Sequence, residues 1–260
     1  MITRQVLNKV TSTLLAGFGL AGLSGIAAAQ STPSAKATFA YSTLVSLTAC
    51  NKLDAAGCTG NTDTGWRPFL KQQIKLANQK DLFLGASLQC GIVTDTTVKS
   101  MNGSLDTAEA RGTIRVRIKV TSPNGTVSYA QPNTSVDANN LTTGPGGGVV
   151  FCDRIQTLAA KFSGLSCFAD ATTGAVTCTK PEELQLILKT LNANAFNFIA
   201  PNLGSGVHTI EVQAKSTTVT SAITATGSLG AANAFIGAGS VSIESVRMVK
   251  GNDGTTLSID

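Results

Sequence analysis

Between Arg111 and Tyr129 the chain alternates: Ile114, Val116, Ile118 and Val120 fall on one parity, and Thr113, Arg115, Arg117, Lys119 and Thr121 on the other. Successive side chains of a strand point to opposite faces, so this pattern fits a strand with one apolar and one solvated face. A helix would scatter the same residues around its cylinder. Asn124-Gly125 follows, and both residues tolerate the positive φ of a tight hairpin turn, which predicts a return through Val127 and Tyr129. A strand that is apolar on one face obliges the rest of the chain to build a second layer over it.

The remaining segments supply material for that layer. Phe39, Tyr41, Val45 and Leu47 alternate with small and hydroxyl residues, which predicts a strand over Phe39–Leu47. Phe69 to Leu88 reads as two strands around Asn78-Gln79-Lys80-Asp81, with a helical turn or two as the alternative for Phe69 to Leu76, and Val149 to Phe162 as strand broken near Asp153-Arg154. His208, Ile210, Val212 and Ala214 share one face of a further strand, and Ser221 to Ala225 forms another. Gly227 to Gly239 reads as a small-residue connection, and the odd step from Val241 and Ile243 to Val246 and Met248 predicts a bulge at Glu244-Ser245. Residues 131–148, with two prolines and four glycines, read as a long loop.

One segment changes period. Thr179-Lys180-Pro181-Glu182-Glu183 carries the signals of a helix start, with Pro181 in the first turn and two glutamates at the positive end of the dipole. Leu184, Ile187, Leu188 and Leu191 then fall at i, i+3, i+4 and i+7, which predicts one short amphipathic helix near 181–193.

The N-terminus says where such a chain works. Arg4 and Lys9 precede an apolar run from Leu14 to Ile26 that closes on Ala27-Ala28-Ala29, the order of a secretory signal peptide of bacterial type. The expected layout is a signal over 1–29, a flexible start over 30–36, a single β-sandwich domain over 37–253 and a C-terminal tail over 254–260. The expected location is secreted or periplasmic, with association to the cell surface as a further option. No later run approaches the ~18 consecutive apolar residues of a membrane helix.

Twenty basic residues less Arg4 and Lys9 leave 18 against 15 acidic ones, an excess too small for a nucleic-acid binder. Charged residues are 13% of the chain against about 25% in ordinary soluble domains, and Gly, Ser, Thr, Asn and Ala take their place. All six cysteines, Cys50, Cys58, Cys90, Cys152, Cys167 and Cys178, follow the signal, and an even number in an exported chain argues for disulfides. Six cysteines allow 15 connectivities. Proximity favours Cys50–Cys58 and Cys167–Cys178, leaving Cys90–Cys152 to join distant strands. A metal site would need CxxC pairs or partnering histidines, and the chain has neither, so no metal and no cofactor is expected.

Roughly ten short strands and one helix point to an antiparallel β-sandwich of jelly-roll type. The stretches Gly206-Val207-His208-Thr209-Ile210-Glu211-Val212 and Val246-Arg247-Met248-Val249-Lys250-Gly251-Asn252-Asp253 resemble segments of exported bacterial β-rich proteins with no assigned function. The resemblance implies a common fold and no particular active residue.

The catalytic repertoire is thin. His208 is the only histidine, it sits on an inward strand face, and no GxSxG elbow accompanies it. A hydrolase would have to use carboxylates alone, with Glu211, Glu244 and Asp153 the acids to test. Glu182 and Glu183 are accounted for by a helix start, and the Asn/Asp-rich turns lack the DxDxDG spacing of calcium loops. Arg115, Arg117 and Lys119, about 6–7 Å apart along one strand face, form a row that an anionic polysaccharide could meet, or else the charged face of an edge strand. Trp66, with Tyr41 and Tyr129, is the aromatic candidate for carbohydrate, assisted by the 131–148 loop. The leading expectation is a non-enzymatic structural, matrix or adhesive protein that self-associates, with Phe39–Leu47 as a strand to add to a neighbour's sheet. A carbohydrate-binding module is the alternative and a carboxylate hydrolase the third.

Overall fold

The computed structural model describes residues 36–42, 47–48, 61–100, 105–134, 146–161, 167–178, 182–223 and 228–248. The expected signal peptide, Cys50 and Cys58, and the C-terminal tail lie outside the described residues. Those described form thirteen strands and no helix.

In chain order the strands are β1 (Ala37–Ser42), β2 (Leu47–Thr48), β3 (Thr62–Asp63), β4 (Arg67–Leu76), β5 (Lys80–Ser100), β6 (Leu105–Thr121) and β7 (Val127–Tyr129). They continue with β8 (Val149–Lys161), β9 (Cys167–Ala169), β10 (Val176–Cys178), β11 (Glu182–Leu203), β12 (Gly206–Ile223) and β13 (Leu229–Val246). One sheet has the order β1-β13-β5-β11, with β2 also on β13. The other places β12 beside β6, with β3 and β4 flanking β12 and β7 and β8 flanking β6. Every pairing is antiparallel. β9 and β10 form a separate hairpin, whose turn is held by Asp170 accepting the Thr172 and Thr173 N–H groups at 2.7 and 3.1 Å.

The two main sheets lie face to face over one apolar core, the arrangement of a β-sandwich. β5 contributes Leu82, Leu84, Ala86, Leu88, Cys90 and Ile92, and β6 meets them with Ile114, Val116, Ile118 and Val120. Ile210 and Val212 of β12, Val241 and Ile243 of β13, and Phe198 of β11 complete it. Each Leu, Ile, Val or Phe among these contributes about 1.5–3 kcal/mol by leaving water. Towards the far end the interior narrows to Ala108, Ala110, Ala232 and Ala234, with Thr94, Thr96 and Gln156 buried among them. There Gln156 donates to Thr96 Oγ1 at 2.6 Å and to the Leu186 carbonyl at 2.8 Å, and accepts from Thr94 Oγ1 at 2.5 Å. A polar trio that satisfies itself in this way joins β8 to β5 and β11 across the sandwich.

The Asn124-Gly125 hairpin is present, with Gly125 at φ +82° and Lys119 opposite Tyr129. The Cys90–Cys152 disulfide is also present and links β5 of one sheet to β8 of the other. Cys167 and Cys178 are register partners across the β9–β10 hairpin.

Three expectations are corrected. The helix near 181–193 is instead the first half of β11, paired residue by residue with β5 from Glu182–Ser100 onward. Leu184, Leu186 and Leu188 share the inward parity, so the segment also carries a period of two, and pairing with a 21-residue β5 outweighs a local helical preference. From Leu229 onward the expected Gly227–Gly239 connection is the first part of β13, because small residues are what two closely apposed sheets admit. A Cβ on Gly230 would lie 2.3 Å from the Glu109 carbonyl oxygen of the facing sheet. The irregularity in β13 falls between Ile236 and Gly239, while Glu244 and Ser245 pair regularly with Phe83 and Leu82.

Candidate functional site

The alternation that builds β6 also fixes what its outer face presents. Apolar residues face the core, so Arg111, Arg115, Arg117 and Lys119 emerge on the opposite side of the sheet, beside the outward residues of β12. Register sets Arg117 opposite Gln213, Lys119 opposite Glu211 and Arg115 opposite Lys215. β6 is flanked on both sides, so the edge-strand reading of this charged row does not hold.

Arg117 is the centre of the arrangement. Its guanidinium carbon lies 4.2 Å from the Trp66 ring centroid and 4.5 Å from that of Tyr129. Its Nε donates to Gln213 Oε1 and its Nη1 to the Gly146 carbonyl, each at 2.8 Å. Burial lowers its pKa from the ordinary arginine value, with Tyr129 acting the other way, and an arginine remains protonated nonetheless. A planar cation between two rings and two acceptors is a well-satisfied cross-link. Trp66 is held in turn by Gly148 at φ +71°, where a Cβ would come within 2.6 Å of both the indole and the Val116 carbonyl oxygen.

The neighbouring charges are compensated too. Lys119 lies 3.3 Å and Lys71 3.7 Å from the Glu211 carboxylate. Lys215 meets Asp63 at 2.5 Å. Burial by itself would raise the Asp63 pKa, but the Lys215 ion pair, the Gly65 N–H and the field of Arg115 hold it below the usual value. Arg111 grips Asp153 through Nε–Oδ1 at 3.1 Å and Nη2–Oδ2 at 2.6 Å, and Thr113 adds a 2.8 Å hydrogen bond. The structure thus brings Trp66, Arg115, Arg117 and Lys119 onto one face and gives Arg117 and Lys119 partners from the same chain.

The acids suggested for hydrolysis are not brought together. Glu211 and Asp153 belong to strands of one sheet and Glu244 to the other. Glu211 carries two lysines. His208 is fully buried, with Nε2 2.9 Å from the Gly204 carbonyl oxygen, which agrees with its inward assignment. Among the described residues no group of three or more His, Cys, Asp or Glu side chains is placed to hold a metal ion. No helix among them is long and apolar enough to cross a membrane, which leaves strand-built membrane proteins unaddressed.

A different surface lies on the last strand of the first sheet. β11 runs for 22 residues and pairs with β5 alone among the described strands, while on its other side Ile199 exchanges two backbone hydrogen bonds with Gln131, both at 2.7 Å. Leu184, Leu186, Ile187 and Leu191 are 39–56% exposed along it. Edge strands in soluble proteins are ordinarily short or interrupted by lysine and proline. The first half of β11 has only Glu182, Glu183 and Lys189 as charged residues, with Glu183 3.2 Å from Lys99. A helical stripe and a strand period coincide over this stretch. The alternation of Leu184, Leu186 and Leu188 with Gln185, Ile187 and Lys189 was the signal that marks it as a strand.

No protein-family model matches this chain, and no curated protein matches it significantly.

Proposed function

We propose that this chain is an exported, non-enzymatic structural or adhesive β-sandwich that works as a self-associating subunit. The observation that carries the reading is β11: a long terminal strand with exposed aliphatic residues and few charges. Its sequence is self-complementary. Antiparallel pairing of two copies about Leu186 sets Glu183 opposite Lys189, Leu184 opposite Leu188, and Gln185 opposite Ile187. The two-fold symmetry of such a contact makes each pairing twice. A second copy of this chain is therefore the occupant proposed for the edge.

Two further observations support the reading. The strand order fits jelly-roll connectivity: β1, β4, β5, β6, β8, β11, β12 and β13, taken as strands 1 to 8, lie in the orders 1-8-3-6 and 2-7-4-5. Export is supported by the signal-like N-terminus and by Cys90–Cys152, since disulfides persist in oxidising compartments. Cys167–Cys178 is the second bond we propose, on their register across the hairpin.

The test is the solution mass of the mature, oxidised protein by light scattering over a concentration series. Dimers or larger species are expected, and Ile187→Lys with Leu191→Lys should return the protein to monomer with its fold intact. A monomer at every concentration, or association unaffected by the two lysines, would overturn the proposal.

A further inference from the structure

The outer face of the first sheet carries a feature that the self-association reading does not use. Phe39 and Tyr41 project from β1 with 67% and 69% of their surface exposed. Their rings are nearly parallel, 14° apart, with centroids separated by 6.3 Å. The two rings stack on each other and still leave about two thirds of their surface in water, an apolar patch of unusual size for an outer sheet face. β1 does not hold them loosely. Gln72 of the facing sheet donates to Thr38 Oγ1 at 2.8 Å and to the Phe39 carbonyl at 2.9 Å, and β1 pairs along its length with β13.

Register extends each ring into a row across four strands. Phe39 continues through Ser242 and Gly85 to Asn197. Tyr41 continues through Ser240 and Ser87 to Ala195. The rows are about 14 Å long at the usual inter-strand spacing. The small side chains in their middle leave two hollows of about 410 and 520 Å3 that share Ser87, Ala195 and Ser240. That is the size range of ligand sites. No lining residue of either hollow is charged, whereas the cleft beside the disulfide holds Asp153 and Arg154, and the one at the β5 start holds Lys80, Asp81 and Arg247.

The geometry points to a binding platform for a neutral polysaccharide. The apolar faces of pyranose rings pack against Phe39 and Tyr41, while hydroxyls meet Ser240, Ser242 and Ser87 and the amide of Asn197. Absence of charge from the lining argues against an anionic glycan, whose carboxylates or sulfates would find no cation there. The site is separate from Trp66, whose ring is taken up by Arg117 on the opposite sheet. It is also separate from the Glu183–Lys189 stretch, so it stands whether or not the chain self-associates.

The experiment is affinity electrophoresis of the mature, oxidised chain through gels containing hydroxyethyl cellulose, soluble starch, galactomannan or the anionic alginate. Retardation by at least one neutral glycan, and not by alginate alone, is expected. Phe39→Ala with Tyr41→Ala should weaken it by roughly tenfold or more, as loss of central aromatic anchors does. Ser87→Arg, at an exposed position that fills the hollow, should abolish it, and Trp66→Ala should leave it unchanged. Circular dichroism and solution mass of the same samples separate this result from unfolding and from loss of association. Migration unaffected by every neutral glycan, or retardation that survives both the aromatic double variant and Ser87→Arg, would overturn the assignment.

Discussion

Replacing Cys90 and Cys152 together by alanine tests how the two sheets are held. The bond spans a sequence separation of 62 residues and joins β5 to β8 across the sandwich. In the chain-entropy description, releasing a loop of that length from the unfolded state costs about 4 kcal/mol at 25 °C. In a domain of this size that corresponds to a fall in Tm of about 8–16 °C. The assay is urea denaturation of the mature protein and the double variant under oxidising conditions, so that the remaining cysteines keep their state. The variant should show a lower midpoint together with a steeper slope, because its unfolded chain exposes more surface without the cross-link. A loss below about 1 kcal/mol with an unchanged slope would refute the reasoning, since the bond would then not be restricting the unfolded chain.

Three other outcomes follow from the packing and the charged face. Gly230→Val drives a side chain into the Glu109 carbonyl oxygen and should cost about 3 kcal/mol in chemical denaturation. Arg117→Ala removes two ring contacts and two hydrogen bonds and should cost about 1–3 kcal/mol, with Arg117→Lys recovering only part because an ammonium lacks the planar fork. Asp63 has its folded-state pKa depressed, so its contribution is present above the unfolded carboxylate pKa and fades as pH falls through the folded value. The small stability deficit of Asp63→Asn at pH 7 should therefore shrink towards pH 3, and a deficit independent of pH would contradict that account.

The strands with clean alternation were legible in the residues. Ile114 to Val120, the Asn124-Gly125 turn and the inward His208 are all found where the pattern sets them. Parity also set Arg115, Arg117 and Lys119 on one solvated face. What parity could not give was their company: Gln213, Glu211 and the Gly146 carbonyl come from segments up to 96 residues away. The misreadings have two physical causes. In β11 a leucine-rich run satisfies a helical and a strand period at once, and only its partner β5 decides between them. In β13 a run of Gly and Ala resembles a linker, because the constraint that selects small residues lies in the facing sheet, at Glu109. Phe39 lies on a strand expected to add to a neighbour's sheet, whereas β1 pairs with β13 of its own sheet and turns the ring to solvent.

The central claim, that β11 is an interface between copies, is tested most directly by hydrogen exchange of its backbone amides at several protein concentrations. The account predicts protection that rises with concentration between Glu183 and Leu191, while the amides of β6 and β12 stay constant. Exchange across Glu183–Leu191 that is independent of concentration, in samples whose solution mass rises, would locate the contact elsewhere and contradict it.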